Sequence, residues 1–154
     1  MSQSRPLGFW LLIIGGAVLG AAYIAGQTLS LFDYERTVAW GLQEAEADIG
    51  ITGRAFNFGF AIADTVFYVP ILAAGLWGLW RRASWARVPL VAALGISVYW
   101  PLLTTAAAAF GHGQPGFGYL APAAYLPLTG PSLVYGLWGL WYVHTHTQLF
   151  GDEA

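Results

Sequence analysis

Hydrophobic residues run in four long blocks along the chain, and shorter segments between them hold nearly all of the charge. The blocks extend over residues 7–32, 55–80, 88–110 and 119–143. A helix rises about 1.5 Å per residue, so about 20 apolar residues cross the hydrocarbon core of a bilayer. The blocks are apolar on all sides rather than alternating, which favours helices over barrel strands. The pattern predicts an all-α, polytopic integral membrane protein: a four-transmembrane-helix bundle in one membrane domain, residues 1–154.

The first block raises the question of a signal peptide, because Arg5 precedes it. Its uncharged stretch covers 26 residues, from Leu7 to Phe32. Hydrophobic regions of signal peptides are shorter, about 7 to 15 residues. We therefore expect a retained helix.

Composition points to lipid as the natural surroundings of this chain. Hydrophobic residues make up 57% and charged residues 9%, whereas soluble domains carry about 25% charged residues. No basic tract exists, so nucleic acid is not an expected partner. The chain has no cysteine, which excludes disulfides, thiolate metal sites, iron–sulfur clusters and thiol redox chemistry.

The arginines indicate how the helices are oriented. Four spans would put Arg5, Arg81, Arg82 and Arg87 on one side of the membrane. The other side would hold Arg36 and Arg54 together with five acidic residues. Cytoplasmic loops carry the excess of Lys and Arg. We therefore expect both termini to be cytoplasmic (N-in/C-in), in a multi-pass protein of the cell (cytoplasmic/inner) membrane.

The connecting segments differ in character. Residues 81–87 form a short turn, which predicts that the second and third spans are antiparallel neighbours. Residues 111–118 hold four glycines and a proline, so they are not helical throughout. In the outer loop, residues 33–54, Val38, Leu42, Ala45 and Ile49 recur at helical spacing. This spacing predicts a short interfacial helix, and the alternative is an ordinary solvated loop.

A hexapeptide, Gly-Leu-Trp-Gly-Leu-Trp, occurs at residues 75–80 and again at residues 136–141. Each copy ends an even-numbered span, and each follows a Tyr-x-Pro, which begins at Tyr68 or Tyr125. One interpretation is a duplicated helix pair that gives a pseudo-symmetric bundle. The other is membrane chemistry: tryptophans lie at the interface, and glycines let helices approach closely.

Asp64 is the charged residue within the second span, and it is the first candidate for function. A charge at the bilayer centre costs about 2.5–3.5 kcal/mol on insertion scales, so such groups usually face the bundle interior. Asp64 is our candidate general acid or base. The candidate ligand-binding residues lie on its helical stripe or on facing helices: Arg54, Asn57, Tyr68, Trp100, Thr104 and Tyr135.

Prolines interrupt three of the four predicted spans. Pro70, Pro101 and Pro131 cannot donate a hydrogen bond to the carbonyl four residues earlier, and such carbonyls must find other partners or line a cavity. Kinked helices around Asp64 could thus enclose a polar pocket with aromatic walls.

Two structural alternatives compete with a functional role for Asp64. It could hydrogen-bond a neighbouring helix, or it could extend outwards and pair with Arg54.

The histidines do not form an obvious site. His144 and His146 follow the last span, and His112 lies in an outer loop, about 30 Å away across the bilayer. A frayed polar tail is the expected structure of the His144–His146 segment. No Walker loop, nucleophile elbow or dinucleotide fingerprint occurs. The sequence therefore predicts no metal and no cofactor.

Three hypotheses for function follow. In the first, an intramembrane pocket around Asp64 binds or acts on a hydrophobic small molecule. In the second, the chain is a non-catalytic subunit or assembly factor of a larger membrane complex. In the third, it is a proton-coupled small-molecule exporter acting as a dimer, by architectural analogy alone. The expected partners are the lipid bilayer, a hydrophobic small molecule, and a second copy or a membrane-complex partner.

Overall fold

A computed structural model describes residues 5–114 and 118–151. Every regular element in these residues is helical. The six α-helices are α1 (Leu7–Tyr23), α2 (Tyr34–Ala39), α3 (Glu46–Ala63), α4 (Val69–Trp80), α5 (Arg87–Gly111) and α6 (Pro122–Thr145). Short 3-10 turns occupy Leu29–Leu31, Ser84–Ala86 and Thr147–Leu149. The predicted all-helical fold is therefore confirmed for the described residues.

Two of the long helices contain a π-helical turn. The turn Ile24–Thr28 continues α1 towards Leu31, and the turn Asp64–Tyr68 joins α3 to α4. In each turn an N–H bonds the carbonyl five residues earlier: Leu29 to Ile24, and Val69 to Asp64. The second turn ends two residues before Pro70, which has no N–H of its own to donate.

Within the described residues, three continuous helical segments are long and apolar enough to cross a membrane: Leu7–Leu31, Glu46–Trp80 and Ser84–Gly111. The fourth predicted block forms the helix α6, which is 24 residues long. The second segment begins earlier than the predicted residue 55. Its first turn is separated from the rest by Gly50, whose φ of 68° lies in the left-handed region that glycine adopts readily.

The four long helical segments pack in an up-and-down arrangement. α1 and α5 each pack against both α4 and α6. Early residues of α1 meet late residues of α6, since Gly8 faces Tyr142 and Gly15 faces Tyr135. Gly75 of α4 likewise faces Leu90 at the start of α5. The expected antiparallel packing of the second and third spans is thus present.

The two ends of the bundle differ in charge. At the arginine-rich end, Arg5 donates a 2.8 Å hydrogen bond to the Trp80 carbonyl, and the Gly151 N–H donates to the Arg82 carbonyl at 2.7 Å. The acidic end holds α2, which Asp33 caps by accepting a hydrogen bond from the Arg36 N–H at 3.1 Å, and the start of α3.

The outer loop contains a short helix, but not the predicted one. α2 ends at Ala39, Gly41 has a φ of 69°, and α3 begins at Glu46. Leu42 and Ala45 therefore do not share a helix with Val38. Residues 115–117 of the glycine-rich loop lie outside the described residues. The described parts of that loop are not helical after Gly111.

The C-terminal segment folds back against the arginine-rich end, which corrects the expectation of a frayed tail. Leu149 and Phe150 are buried in the same core cluster as Phe9 and Leu90. The His146 ring stacks on Tyr142 with centroids 4.1 Å apart. Apolar residues after the histidines, which the sequence analysis did not use, supply the burial that orders this segment as far as Gly151.

Candidate functional site

A cavity of about 330 Å³ opens near the acidic end of the bundle. It lies between α3, α5, the start of α6 and the loop that precedes α3. Most of its lining is apolar, and its polar lining residues are Gln27, Gln43, Glu44, Thr52, Asn57, Thr104, Tyr119 and Tyr125. Its volume falls within the usual range for small-molecule sites, about 300–1,000 Å³.

Asn57 is the centre of the polar network at this cavity. Its side-chain nitrogen lies 2.9 Å from Gln43 Oε1, 3.2 Å from Glu44 Oε2 and 3.2 Å from the Tyr34 hydroxyl oxygen. Its side-chain oxygen accepts a 3.0 Å hydrogen bond from the Tyr119 hydroxyl. The network therefore ties α3 to the outer loop and to the segment before α6.

Glu44 is the charged residue among those that line the cavity. Its Oε1 atom accepts a 2.5 Å hydrogen bond from the Tyr125 hydroxyl, and its backbone carbonyl accepts one from Tyr34 at 2.9 Å. Burial raises the pKa of the Tyr34 hydroxyl, so Tyr34 stays neutral at physiological pH and can donate this bond. Tyr125 of α6 and Asn57 of α3 thus hold the Glu44 carboxylate, and Tyr34 of α2 holds its backbone.

Arg54 does not join Asp64. Its guanidinium donates to the Glu46 carboxylate and lies 4.9 Å from the centroid of the Tyr34 ring. The alternative in which Asp64 pairs with Arg54 is therefore wrong. The physical reason is sequence proximity: Glu46, in the first turn of α3, offers Arg54 a partner at the polar end of the bundle, so its guanidinium need not reach towards Asp64.

Asp64 lies at the start of the π-helical turn and is only 5% exposed. Its Oδ2 atom is buried and has no hydrogen-bond partner among the described residues. The expected alternative, in which hydrogen bonds fasten the carboxyl to a neighbouring helix, is not seen at this oxygen. Asp64 shares its π-helical turn with Tyr68, but it is not among the residues that line the cavity.

Tyr68 and α5 form a buried polar cluster close to Asp64. The Tyr68 and Ser97 hydroxyl oxygens are 2.8 Å apart, and Ser132 donates a 3.1 Å hydrogen bond to the Ser97 carbonyl. That carbonyl is the one that Pro101 leaves without its helical donor. The predicted need for a new partner is therefore met by a side chain of α6.

Arg54, paired with Glu46, does not line the cavity, and the structure divides the other predicted site residues into three groups. Asn57, Trp100 and Thr104 line the cavity. Asp64 and Tyr68 lie in the adjacent buried cluster. Tyr135 donates to the Leu12 carbonyl at 2.9 Å, between α6 and α1, and does not line the cavity.

Several lining residues escaped the sequence analysis, namely Gln27, Gln43, Glu44, Tyr119 and Tyr125. Glu44 was counted only as one acid of the outer loop, and Tyr125 only as part of a Tyr-x-Pro. Tyr125 could have been found from its position: it lies near the outer end of the fourth predicted span, as Asn57 lies near the outer end of the second. No local pattern marks Glu44, because the turn at Gly41 decides where it points.

Comparisons with protein-family models, with curated proteins and with solved structures yield no match to this chain.

Proposed function

We propose that this chain is a four-span protein of the cytoplasmic membrane, with both termini inside, that binds a hydrophobic small molecule in the cavity near its acidic end. The observation that carries the proposal is the cavity itself: apolar walls from α3 and α5 beneath a hydrogen-bonded polar rim. Ligand pockets are mostly apolar, with a few polar groups that fix orientation.

The fourth span is supported by packing. α6 holds no Asp, Glu, Lys or Arg, and it packs along α5 in the reverse direction. At about 1.5 Å per residue its length matches that of α5. Because α5 is long and apolar enough to cross a membrane, a partner helix that runs back along it reaches the opposite surface.

The orientation is supported by the grouping of charges. Arg5, Arg81, Arg82 and Arg87 belong to one end of the bundle, and the acidic residues of the outer loop belong to the other. The excess of arginine favours the cytoplasm for the first end. In this orientation the cavity lies in the outer half of the bilayer.

Ligand binding can be tested by photolabelling the protein in lipid nanodiscs with a medium-chain alkyl diazirine. We expect labels on cavity residues such as Phe56 and Leu103, and competition by an excess of the unmodified alkane. Thr104→Phe should reduce this labelling several-fold because the larger ring fills space in the cavity.

Thr105→Phe is the matched control, since Thr105 is also half-buried and does not line the cavity. It should leave the labelling unchanged. Labels confined to lipid-facing residues, with no difference between the two variants, would contradict the proposal. Loss of a co-purifying membrane protein in Thr104→Phe, with no labelling in either protein, would favour the subunit hypothesis instead.

A further inference from the structure

Two buried polar atoms lack a hydrogen-bond partner among the described residues: Asp64 Oδ2 and the Tyr23 hydroxyl oxygen. Both side chains are at least nine-tenths buried, with Asp64 5% and Tyr23 4% exposed. Leaving such a group unpaired is costly, and more so when it is charged. An unsatisfied group in a folded protein therefore calls for an explanation.

The two orphan atoms belong to one place in the bundle. Asp64 and Tyr68 share one π-helical turn, and the Tyr23 and Tyr68 rings are 4.5 Å apart. The Tyr68 hydroxyl is already bonded to Ser97. Ser132 also lies near Tyr23, but its hydroxyl donates to the Ser97 carbonyl at 3.1 Å and forms no hydrogen bond of normal geometry with Tyr23.

The backbone around this place is also unusual. Both π-helical turns are here, and the Thr65 hydroxyl of one donates a 2.9 Å hydrogen bond to the Thr28 hydroxyl of the other. Single π-helical turns within α-helices occur frequently at functional sites. The turns therefore add a second observation, independent of the orphan atoms, at the same level of the bundle.

The cavity leads towards the orphan atoms. Gly53, Asn57 and Phe60 line it, and Asp64 is the next residue on that helical face, because positions i, i+4, i+7 and i+11 align. Trp100 belongs to both regions: it lines the cavity, and its ring centroid is 5.5 Å from that of Tyr23.

We propose that Asp64 and Tyr23 form an inner polar subsite that binds the hydroxyl group of an apolar alcohol whose hydrocarbon part occupies the cavity. The inference rests on the proposed function, because it assigns a ligand class to the same site. A hydroxyl both donates and accepts. It would donate to the Asp64 carboxyl oxygen and accept from the Tyr23 hydroxyl, which satisfies both orphan atoms at once. An ordered water molecule offers the same chemistry, so the experiment must separate the two sources.

The test compares two photolabels, the alkyl diazirine used above and the same molecule with a terminal hydroxyl. We expect the hydroxylated label to reach half-maximal labelling of cavity residues at a concentration about 2- to 10-fold lower, the effect of one net hydrogen bond. Tyr23→Phe keeps the ring against Tyr68 and Trp100 and removes the hydroxyl. It should abolish this preference while leaving labelling by the plain alkyl diazirine unchanged.

Tyr99→Phe is the matched control, because Tyr99 is 63% exposed on α5, and the preference should persist in it. Asp64→Leu, with folding checked by thermal unfolding, should remove the preference as Tyr23→Phe does. Labelling of the cavity with no preference for the hydroxyl would mean that the subsite holds water only, and would overturn this inference while sparing the proposed function. Failure of both labels to reach the cavity would overturn both proposals.

Discussion

Pro101 leaves the Ser97 carbonyl without its helical donor in the middle of α5, and a residue of the next helix takes over that role. Ser132 is 1% exposed and donates to this carbonyl at 3.1 Å. Interhelical hydrogen bonds of this kind contribute about 0.5–2 kcal/mol in membrane proteins. The proline thus creates an acceptor that fixes where α6 lies against α5.

This pairing gives a double-mutant prediction. Ser132→Ala should lower the free energy of unfolding by about 0.5–1.5 kcal/mol, measured by reversible unfolding in detergent. In a Pro101→Ala background, the new N–H can bond Ser97 within the helix, so Ser132→Ala should cost clearly less. Equal costs in both backgrounds would show that Ser132 does not replace the missing donor.

At the scale of elements, the repeated hexapeptide is explained by packing. The glycines of both copies face α5 or the 3-10 turn directly before it: Gly75 lies against Leu90, Gly78 against Ala86, and Gly136 and Gly139 against Leu94. A two-fold relation that exchanges α4 with α6 would also exchange α5 with α1, so the second pair of glycines would face α1 instead. Close approach to α5 from both sides therefore accounts for the repeat better than pseudo-symmetry does.

The packing interpretation predicts the effect of one methyl group. A Cβ at Gly136 would lie 2.9 Å from the Leu94 carbonyl oxygen, which is backbone and cannot move aside. Gly136→Ala should therefore destabilise the protein by about 1–3 kcal/mol, measured by thermal unfolding in detergent.

Gly130→Ala is the matched control in the same helix, because a Cβ there would meet nothing within 4 Å. It should be neutral or slightly stabilising, since alanine is the better helix former by about 0.5–1 kcal/mol. If both substitutions had the same effect, close packing at Gly136 would not be the reason for the glycine.

At the scale of the whole molecule, the bundle separates its charges and closes its two ends differently. The arginine-rich end is covered by the C-terminal segment, whose Leu149 and Phe150 are buried. The acidic end is covered by the outer loop and its hydrogen bonds to Asn57, and there the cavity remains. A ligand would thus enter from the acidic half of the bundle, and its polar contacts would come from that loop.

The proposed orientation can be measured directly because the chain has no cysteine. Single-cysteine variants at exposed positions near the two ends, Ala47→Cys and Gln148→Cys, should label differently in intact cells. We expect a membrane-impermeant maleimide to modify Ala47→Cys from outside and to modify Gln148→Cys only after the membrane is opened. The opposite result would reverse the orientation. Modification of both variants from outside would exclude four spans.

Much of the fold could be predicted because a run of apolar residues determines a helix without reference to its neighbours. The predicted blocks at residues 7–32 and 88–110 match the helical segments Leu7–Leu31 and Arg87–Gly111 closely. The start of α3 and the path of the C-terminal segment were missed. Each depends on a contact or a turn, at Gly50 and at Phe150, that local composition does not reveal.

The candidate site was predicted only in part, for a related reason. Helical periodicity put Asn57 and Asp64 on one face, but the cavity follows that face only as far as Phe60, and Asp64 does not line it. Periodicity carries no information about loops, so Glu44 was missed. It also cannot tell which of several polar neighbours a long side chain selects, as Arg54 and Glu46 show.

From the sequence alone came four long apolar helices, an acidic and an arginine-rich end, and a carboxyl group set among apolar residues. These follow from the cost of exposing apolar groups to water and from charge counting, which need no coordinates. Only the tertiary structure decided that the cavity lies beside Glu44 and Asn57, and that Asp64 Oδ2 and the Tyr23 hydroxyl lack a hydrogen-bond partner in the described part of the chain. Those properties depend on how helices distant in sequence pack, and therefore on distances that no single segment contains.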